Sequence, residues 1–449
     1  MDTLSRRMFM GVTGTGAVAW GLSNTRSQAP RSPNVILILS DDQGSADVGC
    51  YGAADLHTPH LDGLAVRGVR FTSSYVAASI CSPSRGALLT GRCPRRNGLE
   101  TNAGGDTGLP ESEVLLPQLF KEAGYHTAIF GKWHLGMQAS MGPTARGFDE
   151  FFGHKEGCID NYSHFFYWHG PNRHDLWRNT EQVHEDGAFF PDLVTREALR
   201  FIEAHQQEPF FLYLPYNLPH YPMQAKPEFE ALYKDLPEEP RRYYAAFVST
   251  LDACIGQVVN KVDALGLREN TIILFLSDNG HSVEERAFFG GGSAGPFRGH
   301  KFTLWEGGLR TPCIVSWPGV IPSGEVREQI ISSMDWFPTL ARHCTLTLPD
   351  ILLDGRDITG VIRDRNAPSP HDALHWMSNE QWAVRKGPWK LVYQTPESRH
   401  AESNTSQDSF FLSNLEEDPG ESVNRAPRYP ELQNELMCLH EQWRNATVR

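Results

Sequence analysis

Two pairs of polar residues, Asp41-Asp42 and Asp278-Asn279, each come directly after a short apolar run. If both runs are strands of one open α/β sheet, the pairs lie at its carboxyl edge, where ligand crevices form. Three carboxylates and an amide oxygen are hard ligands that suit Ca²⁺ or Mg²⁺ better than zinc. Either pair alone is equally typical of a turn, because Asp, Asn and Gly favour turns. Their occurrence after two equivalent runs favours a metal site.

A cysteine followed by an arginine offers a second kind of chemistry. Cys81 precedes Arg85 in the run CSPSRGALLTGR, residues 81–92, next to a predicted helix. A helix N-terminus and a nearby cation both favour an anion, so they predict a lowered pKa for the Cys81 thiol. Taken by itself, this pattern indicates either a cysteine nucleophile or a buried structural thiol.

The same run resembles the signature of the sulfatase family, which is C-x-P-S-R followed by L-x-T-G-R. Four further stretches agree with that family in the same order along the chain. They are TPHLD at residues 58–62, GKWHLG at 131–136, LPH at 218–220 and KFTLWEGG at 301–308. The resemblance therefore extends over nearly the whole chain after its first thirty residues.

In the sulfatase family this cysteine is oxidised after translation to formylglycine (3-oxoalanine) by a maturase. The resemblance thus implies that Cys81 becomes an aldehyde whose hydrate is the nucleophile. Matched by motif, the implied Ca²⁺ ligands are Asp41, Asp42, Asp278, Asn279 and an oxygen of the modified Cys81, with Mg²⁺ as the alternative ion. A metal there lowers the pKa of the hydrate hydroxyl and polarises the sulfate.

The resemblance also implies roles for the basic residues. Arg85 holds the hydrate, and four further side chains donate hydrogen bonds to sulfate oxygens: Lys132, His134, His220 and Lys301. One hydroxyl attacks sulfur while Asp278 accepts its proton, and His220, assisted by Lys301, protonates the leaving oxygen. His134 then deprotonates the second hydroxyl, so that sulfate is expelled and the aldehyde returns. An ordinary serine lacks that second hydroxyl and cannot use this exit.

Several residues near these motifs carry weaker predictions. His281 is equally consistent with a substrate contact and with a surface position, and Asp160, Asn161 and Tyr162 are weaker candidates still. The chain departs from the family near Gly157, where some members place a serine close to the sulfate. The contact is then absent or made by the backbone. The glycine-rich residues 290–295 and the aromatic-rich residues 165–177 are predicted to line the mouth of the site.

The elements that position these residues follow from the pattern of apolar runs. Unbroken runs at 35–39, 127–130, 209–214, 271–276 and 313–317 predict buried strands. Helices are predicted at 116–123 and 243–265, so the alternation indicates an α/β fold with a mostly parallel sheet. The resemblance implies an alkaline-phosphatase-like α/β/α sandwich at residues 30–348. Residues 349–449 are predicted to form a small C-terminal α+β subdomain with a hairpin around Gly387 and a closing helix.

The first 29 residues read as a targeting segment rather than as part of the fold. Arg6-Arg7 precedes a weakly apolar run at 11–22 and small residues at 27–29. This pattern is typical of a twin-arginine export signal, with a Sec signal as the alternative. The run is shorter than the roughly 20 residues of a membrane span. We therefore predict a protein exported to the periplasm or secreted, with no transmembrane segment.

Composition restricts the classes of function. The 449 residues carry a formal charge of −13, which argues against nucleic-acid binding. The eight cysteines are scattered, and their spacing indicates neither a zinc site nor a dense disulfide scaffold.

The predicted function is therefore hydrolysis of a sulfate ester. The favoured substrate class is a sulfated carbohydrate, and the alternative is an aryl sulfate. Three alternatives remain. They are a phosphodiesterase or phosphonate hydrolase of the same superfamily, a catalytically inactive carbohydrate-binding homologue, and a hydrolase that uses unmodified Cys81.

Overall fold

A ten-stranded, mostly parallel sheet organises the fold. The computed structural model describes residues 32–168, 170–393 and 410–448. The strands are β1 (Asn34–Ser40), β2 (Val69–Phe71), β3 (Ser74–Tyr75), β4 (His126–Lys132), β5 (Glu150–His154), β6 (Phe165–Phe166), β7 (Arg173–His174), β8 (Trp177–Arg178), β9 (Glu181–Gln182), β10 (Phe210–Pro215), β11 (Thr271–Ser277), β12 (Cys313–Ser316), β13 (Glu325–Arg327), β14 (Ile331–Ser332), β15 (Leu374–Ser378), β16 (Gln381–Lys386), β17 (Trp389–Tyr393) and β18 (Phe410–Asn414). The main sheet has the order β13-β2-β12-β11-β1-β10-β4-β5-β8-β9.

Helices cover both faces of this sheet. They are α1 (Pro59–Val66), α2 (Cys81–Thr90), α3 (Pro94–Asn97), α4 (Leu116–Glu122), α5 (Phe190–Ala204), α6 (Pro227–Leu232), α7 (Glu239–Ala264), α8 (Glu306–Leu309), α9 (Trp336–His343), α10 (Thr359–Arg363) and α11 (Pro430–Ala446). Side chains of β1 alternate between two cores, because successive residues of a strand point to opposite faces. Ile36 and Ile38 pack with α5 and α7, whereas Leu37 and Leu39 pack with α4 and α9. The predicted three-layer α/β architecture is confirmed.

The register of the central strands brings the two acidic pairs together. Strand β1 lies between β10 and β11 and is parallel to both. Ser40 is paired with Ser277, so the residues that follow each strand emerge side by side. The backbone N–H of Asp42 donates to Asp278 Oδ1 at 3.1 Å. The predicted convergence of these residues at the carboxyl edge of the sheet is therefore confirmed.

A small antiparallel sheet, in the order β15-β16-β17-β18, forms the C-terminal part of the fold. It contains the predicted hairpin of β16 and β17, and α11 packs on it through Leu432, Leu436 and Leu439. The polar segment at 394–407, whose composition predicts a surface loop, lies outside the described residues. The exact domain boundary at residue 348 stays a prediction.

The predicted export signal, residues 1–29, also lies outside the described residues. Within the part of the chain that the structure describes, no helix combines the length and the hydropathy needed to cross a bilayer.

Candidate active site

A cavity of about 460 Å³ opens above Cys81. Three basic side chains predicted to bind sulfate, His134, His220 and Lys301, share its lining with Cys81. Lys132 and Arg85 are fully buried and lie behind this lining. The structure thus brings the predicted residues together in two layers, of which only the first faces the cavity.

Cys81 is the first residue of α2 and is only 2% exposed. Its Sγ lies 3.7 Å from Asp41 Oδ1. Burial raises the pKa of the thiol, and this effect outweighs the opposing charges of Lys132 and Lys301. The expectation of a lowered thiol pKa was wrong, because a helix N-terminus and nearby cations do not compensate for complete burial. A protonated thiol is a poor nucleophile, which weighs against a hydrolase that uses unmodified Cys81.

Arg85 lies one helical turn after Cys81 and connects the helix to the acidic residues. Its Nε and Nη2 donate to Asp278 Oδ2 at 2.9 and 2.7 Å, and Nη2 lies 3.3 Å from Asp41 Oδ1. Its Nη1 donates to the carbonyl of Lys132 at 3.3 Å. Burial opposes the charge of Arg85, but both carboxylates raise its pKa, so it remains a cation. Arg85 therefore fixes the position of Asp278.

Replacing Arg85 with alanine should lower the free energy of unfolding by about 3–5 kcal/mol, because it leaves the carboxylate of Asp278 buried without its partner. The matched control is Arg67→Ala, since Arg67 pairs with Asp263 at the surface, where both side chains are more than a third exposed. That change should cost only about 0–1 kcal/mol. Urea denaturation in EGTA measures both, because a bound cation would mask the loss. Equal effects for the two variants would contradict this account.

Each of the three buried carboxylates lies closest to a different cationic side chain. The pairs are Lys132 with Asp41 at 2.7 Å, Lys301 with Asp42 at 2.7 Å and Arg85 with Asp278 at 2.7 Å. Burial opposes ionisation of Asp41, but the surrounding cations lower its pKa well below the usual value. Burial and the neighbouring Asp41 raise the pKa of Asp278 to about 7. Asp278 is thus the carboxylate of this group that is most readily protonated in the absence of a metal ion.

The oxygen atoms at this edge of the sheet fit a hard divalent cation. Ligand atoms of Asp41, Cys81 and Asp278 lie within 4.8 Å of one another, as do those of Asp41, Asp42 and His220. The Nδ2 of Asn279 donates to Asp42 Oδ1 at 2.7 Å, whereas its buried Oδ1 has no hydrogen-bond partner among the described residues. A buried acceptor without a partner is costly. An oxygen-binding cation such as Ca²⁺ would satisfy it.

His134 is held in an unusual backbone conformation at the side of the cavity. Its φ of 56° lies in the left-handed region, which is uncommon for residues other than glycine. The Ser82 hydroxyl donates to its carbonyl at 2.6 Å, and its own N–H donates to Lys155 O at 3.1 Å. A Cβ at Gly157 would come within 2.8 Å of the imidazole Cε1. Glycine at 157, where some family members have serine, therefore makes room for this ring.

His220 and Lys301 form the opposite side of the cavity. The Nδ1 of His220 lies 2.6 Å from the backbone carbonyl oxygen of Tyr221, and the Nε2 of His220 lies 3.6 Å from Asp42 Oδ2. Burial lowers the pKa of His220, and burial together with the charge of Lys132 lowers that of His134 well below 6.5. Burial opposes the charge of Lys301, but Asp42 raises its pKa well above the usual value.

The cavity wall also contains Tyr221 and Glu284, which the sequence analysis missed. Glu284 accepts hydrogen bonds from Tyr221 Oη at 3.1 Å and from Ser282 Oγ at 2.9 Å, and it lies 3.8 Å from Lys301 Nζ. Trp168 stacks on Tyr221 with ring centroids 5.7 Å apart. The only sequence signal for Glu284 was its position six residues after Asp278, which is too weak to predict a contact.

Some predicted contacts are not part of this cavity. Of residues 165–177, Phe166 and Trp168 line it, but residues 290–295 lie along a separate groove beside Arg241. That part of the prediction was wrong, because the glycine-rich loop packs against α7 instead. His281 is buried and does not line the cavity. Asp160 borders another surface depression. Asn161 is buried, where its Nδ2 donates to Pro222 O.

Two family models match the chain. Residues 33–346 match the model described as Sulfatase, and residues 297–446 match the one described as N-sulphoglucosamine sulphohydrolase, C-terminal. Together they extend over nearly all of the described part of the chain.

Individual proteins are similar over most of their length. N-acetylgalactosamine-6-sulfatase of Rattus norvegicus is 36% identical, over 88% of this chain and 76% of that protein. Arylsulfatase A of Homo sapiens is 33% identical, over 88% of this chain and 83% of that protein. A crystal structure of Ps i-CgsB in complex with k-i-k-neocarrahexaose has a TM-score of 0.83 at 30% identity, and covers 93% of this chain and 94% of its own.

Proposed function

The chain belongs to the sulfatase family of sulfate ester hydrolases, and we propose that it removes sulfate from a sulfated carbohydrate by using formylglycine formed from Cys81 and a bound Ca²⁺. The observation that carries the proposal is the cavity in which Cys81 lies among His134, His220 and Lys301. A sulfate group needs such a cluster of donors, because negative charge on its oxygens shifts in the transition state. The buried carboxylates lie directly behind Cys81.

Four side chains would hold the metal: Asp41, Asp42, Asp278 and Asn279. When present, Ca²⁺ and the hydrated aldehyde supply Lewis-acid activation and a nucleophile with two hydroxyl groups. Mg²⁺ is the alternative ion. In this structure the three carboxylates are neutralised by Arg85, Lys132 and Lys301. A divalent cation would release the charge of the two lysines for sulfate oxygens.

The remaining groups move protons. Asp278 would accept the proton of the hydroxyl that attacks sulfur. His134 lines the cavity, and its buried Nδ1 has no hydrogen-bond partner among the described residues. This side chain acts as the general base for the second half of the reaction. His220 protonates the leaving oxygen, with the charge of Lys301 beside it. Arg85, which is buried behind the cavity lining, orients residue 81 and Asp278.

The dependence of kcat on pH should be bell-shaped, with its maximum below pH 6.5, because kcat includes both the step that needs His220 and the step that needs His134. The base His134 works when neutral and the acid His220 works when charged. Burial lowers both pKa values, that of His134 further. A lowered pKa keeps His134 unprotonated at acidic pH, whereas it removes the proton of His220 before neutrality. The measurement is kcat for an aryl sulfate between about pH 4 and about pH 8, corrected for unfolding. A maximum above pH 7 would argue against these two roles.

Aromatic rings on the cavity wall support a carbohydrate as the leaving group. Phe166, Trp168 and Tyr221 present apolar faces beside the polar groups, and Glu284 offers a carboxylate to a hydroxyl group. Rings of this kind suit the apolar face of a sugar. An aryl sulfate fits the same wall and is the alternative substrate class.

The test compares hydrolysis of matched aryl sulfate and aryl phosphate esters by the purified protein, followed by sulfate release from sulfated oligosaccharides. We expect kcat/KM to favour the sulfate ester. A preference for the phosphate or phosphonate ester would indicate the phosphodiesterase alternative instead. Binding of oligosaccharide without any sulfate release would indicate an inactive carbohydrate-binding homologue.

The proposal includes two cellular partners. A formylglycine-generating maturase must act on Cys81 before α2 folds, because the thiol is 2% exposed in the folded protein. The Arg6-Arg7 pair supports export by the twin-arginine machinery to the periplasm or the exterior.

A further inference from the structure

Three potential metal ligands meet away from the active site, at His164, His174 and Asp186. One ring nitrogen of each histidine and one carboxylate oxygen lie within 4.8 Å of one another. The Nε2 of His174 is 3.9 Å from Asp186 Oδ1. A zinc ion lies about 2.0–2.2 Å from nitrogen and oxygen ligands. Side chains this close therefore need only small adjustments to share one ion.

His164 has the hydrogen bonding of a histidine prepared to bind a metal. It is fully buried, and its Nε2 lies 3.0 Å from the carbonyl of Ala188, to which it donates. The Nδ1 is then left with a lone pair, and it has no hydrogen-bond partner among the described residues. Metal-binding histidines usually donate their other N–H to a carbonyl in this way, which fixes the tautomer. A buried nitrogen without a partner is otherwise costly.

His174 and Asp186 complete the cluster and leave it accessible. Neither ring nitrogen of His174 has a hydrogen-bond partner in the part of the chain that is described, although its side chain is only 8% exposed. Asp186 is 68% exposed, so an ion can enter from solvent on that side. The ring of His184 packs against that of His174 at a centroid distance of 4.2 Å and an interplanar angle of 31°.

The three ligand-bearing segments are already joined by backbone hydrogen bonds. The N–H of Asp175 donates to His164 O at 2.9 Å, and that of Gly187 donates to Tyr162 O at 2.8 Å. The segment that carries Asp186 is therefore tied to the one that carries His164, and His174 lies next to Asp175. A site preformed in this way loses little entropy when it binds an ion.

We propose that His164 Nδ1, His174 and Asp186 bind a first-row transition-metal dication such as Zn²⁺. Imidazole nitrogens select such ions over Ca²⁺, which prefers oxygen. The cysteine spacing indicated no zinc site, and this one uses no cysteine. His174 pairs with Phe165 in the hairpin of β6 and β7. Phe166, which follows Phe165 in β6, lines the cavity above Cys81. The ion thus ties this part of the cavity wall to the segment around Asp186.

The test titrates Zn²⁺ into the full-length protein by calorimetry, with Ca²⁺ in excess to occupy the carboxylate site, and repeats it with Co²⁺ by visible absorption. We expect one Zn²⁺ per chain and a Co²⁺ spectrum in the wild type. His174→Ala and Asp186→Asn should each weaken the affinity by roughly 10–100-fold or more and lose the Co²⁺ bands. Neither side chain makes a hydrogen bond to another of the described residues, so circular dichroism should be unchanged.

A second cluster, His126, His205 and Glu208, gives the matched control. Its groups are partly exposed and paired with one another, because His126 forms an ion pair with Glu208. His126→Ala should leave Zn²⁺ affinity and the Co²⁺ spectrum unchanged. The proposal is overturned if the wild type binds no Zn²⁺, if both site variants bind it as the wild type does, or if only His126→Ala loses it.

Discussion

Replacing Cys81 with alanine is expected to lower kcat by roughly 10⁵–10⁶-fold, the size of effect that follows removal of a catalytic nucleophile. Alanine can provide neither the aldehyde nor any hydroxyl. The fold should persist, because Cys81 starts a helix and the one hydrogen-bond contact of its side chain within the described part of the chain, to Asp41 Oδ1, is long at 3.7 Å. Steady-state kinetics with an aryl sulfate, together with a melting curve, measure both effects.

Cys254→Ala is the matched control, because Cys254 is also 2% exposed but lies in α7 beside Pro191. That variant should retain activity within a few-fold. Cys81→Ser should be as inactive as Cys81→Ala in a host without a serine-type maturase, since serine offers one hydroxyl instead of two. Substantial turnover by Cys81→Ala would refute the role of this residue.

Removing divalent cations with EGTA should lower kcat by roughly 10²–10³-fold, because Lewis-acid activation is worth several kcal/mol. Added Ca²⁺ should restore the rate. We expect the metal-free protein to stay folded, because three cationic side chains already neutralise the three carboxylates. Activity assays and elemental analysis of the same samples measure the effect. Full activity in a sample free of Ca²⁺ and Mg²⁺ would contradict the proposed cofactor.

Asn279→Ala should raise the Ca²⁺ concentration that gives half-maximal activity by roughly tenfold or more, because it removes the unpartnered Oδ1. Asn34→Ala is the control for the loss of a buried asparagine. Asn34 is paired with Thr271 at the opposite end of the strand that leads to Asn279, far from the carboxylates. It should leave the Ca²⁺ dependence unchanged, whatever its effect on stability. The same shift in both variants would show that Asn279 is not a metal ligand.

Local sequence patterns predicted the framework of the site. The apolar run at 35–39 indicated a strand buried on both faces, and its residues do alternate between two cores. Since parallel neighbours end at one edge, the pairs at Asp41 and Asp278 were expected to converge, and they do. What a pattern could not supply was strand order, including the antiparallel placement of β12 beside β11.

Properties that depend on burial or on distant packing were beyond the sequence. The raised pKa of Cys81 arises from its complete burial, which a helix start and a nearby arginine do not reveal. The glycine-rich composition of residues 290–295 is typical of a flexible loop at the mouth of a site, yet this loop packs against α7. His164, His174 and Asp186 follow no metal-ligand spacing and meet only because backbone hydrogen bonds join their segments.

The most direct test of the central claim is the chemical state of residue 81 in active enzyme. Trypsin releases it in the peptide of residues 71–85, which ends at Arg85. Mass spectrometry of protein whose turnover has been measured should find that this peptide has lost its sulfur and carries an aldehyde, in proportion to activity. Full activity in a preparation whose residue 81 is entirely a free thiol would contradict the account.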